Sequence, residues 1–174
     1  MSALRYITVI LILALAACSS PEGNDAGSPP QRAAAPPHDY IHIGSADTRQ
    51  SGNIQIGVNT DLFGGDEAVE RLAITFGIYF SSAVHDATPS EIGNIGKGSS
   101  VTDPIVFSPP VEPVAELQSA VNLVAKRAVD RRHLVGSLYR SPEGRYLLLI
   151  EFDREAGALY FDVTNWAKAK GESD

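Results

Sequence analysis

Gly93 to Ser100 reads GNIGKGSS, a lysine set among glycines, which is the composition of a loop that wraps phosphate with its backbone N–H groups. The spacing is not that of a Walker A loop, because Glu91 stands where the first glycine belongs and Gly98 takes the hydroxyl position after Lys97. Lys97 is therefore read as a cation on a Gly/Ser tip that reaches into a protein partner. HDYIH places His38, Tyr40 and His42 on one face of an extended chain, with Asp39 between them. Two imidazoles without a third ligand at recognisable spacing make only a fragment of a metal site, and surface side chains beside a linker are the better reading. His85 and Asp86 pair an imidazole with a carboxylate, but sequence neighbours do not usually reach the geometry in which one orients the other as a general base. Glu151 and Asp153 have the residue types of a glycosidase pair, and acids at a strand end serve solubility just as well. The chain has no G-x-S-x-G and no S-x-x-K. The expectation is a protein that is not an enzyme and holds no metal or cofactor.

The remaining reactive group is the only cysteine, Cys18. Residues 1–17 carry Arg5 near the start, run through the apolar stretch Ile7 to Ala14, and finish in small residues. That is a secretory signal layout, too short to span a bilayer. Leu15, Ala16, Ala17 and Cys18 resemble the lipobox of bacterial lipoproteins. The resemblance implies acylation of the Cys18 thiol, cleavage before it, and a further acyl chain on the new amino terminus. Several chains anchor stably, since each buried methylene contributes roughly 0.8 kcal/mol. Ser19 rather than Asp follows the cysteine, which in the sorting pattern of enteric bacteria implies the outer membrane, facing the periplasm. With Cys18 committed to lipid no disulfide can form, so packing alone must stabilise the fold.

Removing residues 1–17 leaves 157 of 174 and takes the formal net charge from −7 to −8 through the loss of Arg5. An acidic chain lacks the basic footprint that nucleic acid requires, whereas it steers toward a basic protein. The 44% hydrophobic content suffices for a real core. From Cys18 to Asp39 the text is rich in Pro, Ala, Gly and Ser and reads as a tether, leaving residues 40–170 as a single globular domain.

Within that domain Tyr40 to Gly44 and Ile54 to Val58 show the period-two spacing of a hairpin. Asp66 to Val84 is ambiguous. Val69, Leu72, Ala73, Phe76, Phe80 and Ala83 form a helical stripe behind a capping Asp66, yet Ile74, Phe76, Ile78 and Phe80 alternate like a strand; the helix is preferred. Residues 86 to 113 read as a long loop. A second helix starts at Pro113, with Val114, Leu117, Val121, Val124 and Ala128 on one stripe and Lys126, Arg127, Arg131 and Arg132 at its C-terminal end. The rest reads as a meander: Leu134 to Arg140, a type I turn at Ser141 to Gly144, then Tyr146 to Phe152, and a strand carrying Leu159, Phe161 and Val163. The fold class expected is α+β, an antiparallel meander packed on one or two helices, with its other face exposed.

Tyr139, Tyr160 and Trp166 are expected either to form an aromatic patch for a protein partner on that exposed face or to cover a small core under the C-terminal residues, and Lys97, Arg131 and Arg132 are the further partner contacts expected. The function expected is a lipid-anchored envelope protein that binds another protein, as an inhibitor or an immunity protein against an envelope-targeting toxin does. An accessory subunit of an envelope assembly and an envelope hydrolase are the alternatives.

Overall fold

The computed structural model describes residues 36–49, 55–58, 66–91, 100–130, 132–152 and 157–171. Their order is β1 (Ile41–Asp47), β2 (Gln55–Val58), α1 (Glu67–His85), α2 (Glu116–Arg127), β3 (Leu134–Arg140), β4 (Tyr146–Phe152), β5 (Gly157–Asp162) and α3 (Thr164–Gly171). The strands form one antiparallel sheet in the order β2-β1-β3-β4-β5, with the helices on one side, so the class is α+β. His38 and Asp39 lie in the turn before β1, so the run HDYIH does not form one strand face.

Residues 66 to 84 resolve as helix for local reasons. The Asp66 carboxylate accepts from the Ala68 N–H at 3.1 Å, and Glu67 and Glu70 occupy the first turn, where the helix dipole favours acids. Val69, Leu72, Ala73, Phe76, Phe80 and Ala83 then fall on one buried face at helical period. The strand-like alternation is split: Phe76 and Phe80 go into the core, while Ile74 and Ile78 remain 42% and 58% exposed.

Before α2 the chain makes a 3-10 turn at Pro113–Ala115. Val114 is there 60% exposed, so the apolar stripe begins at Leu117 instead, with Ala120, Val121 and Val124. The connection ahead of it is pinned along its described length. Thr88 and Ser90 donate their N–H groups to Asn122, Glu91 pairs with Lys126, and Ile105 bridges in parallel to Phe161. Ile105 exchanges backbone bonds with Tyr160 and Asp162 at 2.7 and 3.0 Å, which covers the outer edge of β5, and Phe107 stacks on Phe161 with ring centroids 6.1 Å apart. The turn at Ser141–Gly144 closes as expected, with Gly144 at φ 80 taking the left-handed step that rejoins β4.

The short helix α3 had no expectation, because its start is made by groups far away in sequence. Glu116 on α2, only 6% exposed, accepts from the Trp166 N–H at 2.9 Å and from Asn165 Nδ2 at 2.8 Å. Asp162 accepts from the Thr164 N–H and hydroxyl at 3.0 and 2.6 Å and from Arg145 Nη2 at 2.7 Å. Burial pushes Asp162 up, but these bonds together hold it below its ordinary value. Glu116 goes the other way, because loss of water outweighs its two hydrogen bonds and raises its pKa. A carboxyl whose folded pKa is raised favours folding below its unfolded value of 4.5 and loses that contribution as pH climbs through the folded value. The stability difference between wild type and Glu116→Gln, from urea unfolding at a series of pH values, should therefore shift against wild type as pH rises above 4.5. A flat difference would refute the assignment.

Candidate interaction face of the sheet

The pleat sorts the sheet residues. Leu134, Leu138, Leu148, Ile150, Leu159 and Phe161 turn toward the helices and are buried there. On the other face two cross-strand rows stand side by side, His42, Tyr139, Leu147 and Asp162 in one and Ser45, Ser137, Leu149 and Tyr160 in the next. Asp47, Val135, Glu151 and Ala158 form a third.

This face is not uniformly open, which corrects the expectation. Over β4 and β5 it is closed at Leu147, Leu149, Ala158 and Tyr160, and the last three form a small second core with Val101 and Tyr139 packed on it, while Glu151 stays exposed at its margin. Over β1 and β3, His42, Ser45, Asp47, Val135 and Tyr139 are only partly buried. Sequence patterning marks which residues share a face but not which part of it is covered, because the cover comes from the segment that carries Val101.

The residues expected to form one aromatic patch are thus separated. Tyr139 is on the open half. Tyr160 is on the same face but fully buried. Trp166 is on α3 on the opposite side of the sheet, fully buried, with its ring 6.2 Å from both Phe76 and Tyr79. Arg132 is exposed beyond the opposite end of β3 from Tyr139, about 23 Å away along an extended chain. Its N–H donates to Asp130 Oδ1 at 3.0 Å, and Asp130 also pairs with His133. Cys18, Lys97 and Arg131 lie outside the described residues.

Sequence reasoning weighed His42 only as part of a metal fragment or as a surface side chain and missed its pairing with Tyr139, whose ring centroid lies 5.1 Å away at a tilt of 53°. A bulge between His42 and Gly44 sets it opposite Tyr139, and a bulge leaves no mark in period-two spacing. Burial lowers the His42 pKa below 6.5, so its imidazole is neutral at pH 7. Burial also raises Tyr139, against a hydrogen bond with Ser137, and burial with the nearby Tyr139 and Glu151 takes Tyr160 to about 12. Both phenols keep their protons. The open half therefore offers an uncharged aromatic pair with hydrogen-bonding tips, flanked by the Asp47–Arg49 ion pair, in which Arg49 Nε donates to both carboxylate oxygens at 2.9 and 3.0 Å and Nη2 donates to Oδ2, and by exposed Glu151.

That composition suits recognition of protein: partly desolvated Tyr and His at the centre, charge at the rim. A separate open cavity of about 320 Å³ lies between the N-terminal end of α1 and α3, with Asp66, Leu72, Arg140, Tyr146 and Lys168 in its lining. Among the described residues no group of three His, Cys, Asp or Glu is placed to hold a metal ion. No described helix is long and apolar enough to cross a membrane.

No family model, no curated protein and no solved structure matches this chain.

Proposed function

We propose that this protein is a lipid-anchored envelope protein, held in the outer membrane through Cys18 and facing the periplasm, that binds a basic protein partner through the open half of its sheet. The observation that carries the binding reading is the His42–Tyr139 pair, two aromatic side chains partly stripped of water on a face whose other half is closed. The lipobox-like residues Leu15 to Cys18 support the anchor, and the formal net charge of −7 supports a basic partner by steering its approach. An inhibitor or an immunity protein against a secreted, envelope-degrading enzyme fits this description, since such a protein needs only a complementary surface held at the right place.

Affinity capture from gently solubilised envelopes tests it with wild type, Cys18→Ser and Tyr139→Ala. Wild type should carry an acylated N-terminal mass and bring down a basic secreted hydrolase, which the purified protein then inhibits. Tyr139→Ala should weaken that pairing about tenfold or more, as truncation of a central aromatic does, while its melting temperature stays close to wild type. An unmodified amino terminus would overturn the anchor. Equal capture by Tyr139→Ala would remove the sheet face from the reading.

A further inference from the structure

A different surface, on the helix side of the sheet, is shaped for a second copy of this chain. Along the outward face of α1 the order is Glu67, Arg71, Ile74, Ile78, Ser82, His85, all exposed. Ile74 and Ile78 are neighbours one turn apart at 42% and 58% exposure, and nothing among the described residues shields them. Glu67 lies two turns before Ile74, and His85 two turns after Ile78, on the same line at helical period.

This row is symmetric about its own middle, the level of Phe76, in apolar character, and carries an acid near one end and an imidazole at the other. Turned end for end and laid on itself, it sets Ile74 opposite Ile78, Glu67 opposite His85 and Arg71 opposite the small Ser81 and Ser82. A two-fold axis demands this property of an isologous contact, in which every contact occurs twice. The opposed helix dipoles of an antiparallel pair agree with it, since each Glu67 and its facing imidazole sit at a positive and a negative helix end respectively. Asp66 and Asp86 also meet in this register, but each lies about 100° round the helix from the seam. Asp66 is occupied in capping Ala68, and Asp86 in accepting from Ser82 Oγ.

We infer that two copies of this chain pair α1 against α1, antiparallel about a two-fold axis at the level of Phe76, with Ile74 packed on the partner's Ile78 and Glu67 facing the partner's His85. Because α1 and the open half of the sheet lie on opposite sides of the molecule, the pair leaves both sheet faces accessible. A single helix contact is small, so the dimer belongs to the weak, concentration-dependent class.

Sedimentation equilibrium of the full chain in density-matched detergent tests it. Wild type should show a reversible monomer–dimer equilibrium. Glu67→Lys alone should weaken it about tenfold, because symmetry alters two contacts at once, and the double variant Glu67→Lys/His85→Glu should restore it. His85→Lys, which puts a permanent positive charge opposite Glu67, should tighten it severalfold, and Ile78→Glu should abolish it with an unchanged far-ultraviolet circular dichroism spectrum. A wild type that stays monomeric up to about 1 mM, the affinity floor of specific association, overturns the inference. So does a double variant that fails to regain what Glu67→Lys lost. Neither result bears on capture of a basic hydrolase through Tyr139, so the two readings fail separately.

Discussion

Trp166→Ala is expected to cost about 3–5 kcal/mol of unfolding free energy, the range for removing a large aromatic from a packed core. Against a typical total of about 5–15 kcal/mol, such a loss takes the protein close to its folding limit. Trp166 is fully buried, meets Phe76 edge-on with ring centroids 6.2 Å apart, and belongs to the cluster that joins α1, α2, α3 and the inner face of the sheet. Its backbone N–H, which alanine keeps, is one of the two donors that tie α3 to Glu116, so the cost comes from the lost packing of the ring and not from a lost hydrogen bond. Its indole Nε1 is buried with no hydrogen-bond partner among the described residues. Trp166→Phe removes that donor along with part of the ring and should cost far less than the alanine variant. As the only tryptophan, it also reports on itself: wild-type emission should be blue-shifted and should move to the red in the same urea transition that circular dichroism follows. An alanine variant that melted like wild type and lost only a binding partner would put Trp166 back on a recognition surface.

The second large effect is steric. Gly136 sits in the middle of β3 beneath α1, and a Cβ placed there would stand 2.6 Å from Phe80 Cε2 and 2.7 Å from Phe80 Cζ. Phe80 cannot retreat cheaply, being fully buried and packed on Phe76 with centroids 5.6 Å apart. Gly136→Ala should therefore destabilise by about 1–3 kcal/mol, although alanine is otherwise the easier residue to order. Gly136→Val should do worse, despite valine's preference for strands. Trimming the opposing ring should compensate: Phe80→Leu/Gly136→Ala is expected to be more stable than the sum of its single changes by about 0.5–3 kcal/mol. Additive single effects in urea unfolding would show that the ring and the strand do not meet as described.

Both expectations rest on contacts between elements far apart in sequence, and that separates what could be read in advance from what could not. The helical stripe of α1, its Asp66 cap and the acidic first turn act within a few residues, so the choice of helix over strand was accessible from local physics. The same holds for the strand β4 and for the Ser141–Gly144 turn. Val114 was placed on the wrong side of that line. The proline before it starts a 3-10 turn rather than the helix, and three residues per turn aim it outward. The site was less legible than the fold. Tyr139 stood out by residue type, whereas His42 needed a bulge to face it, and Trp166 stayed open between surface patch and core cover because α3 was not foreseen.

Local spacing alone determined the α+β class, the C-terminal meander and the first two helices, since propensity, capping and period are properties of neighbouring residues. Tertiary structure alone decided that Glu116 would hold the start of a helix 50 positions later, that the segment around Val101 and Ile105 would close half of the outer sheet face over Tyr160, and that Ile74 and Ile78 would be left facing water. Each of these depends on which distant surface removes a group from water or satisfies its hydrogen bonds, and no window of contiguous sequence contains both partners.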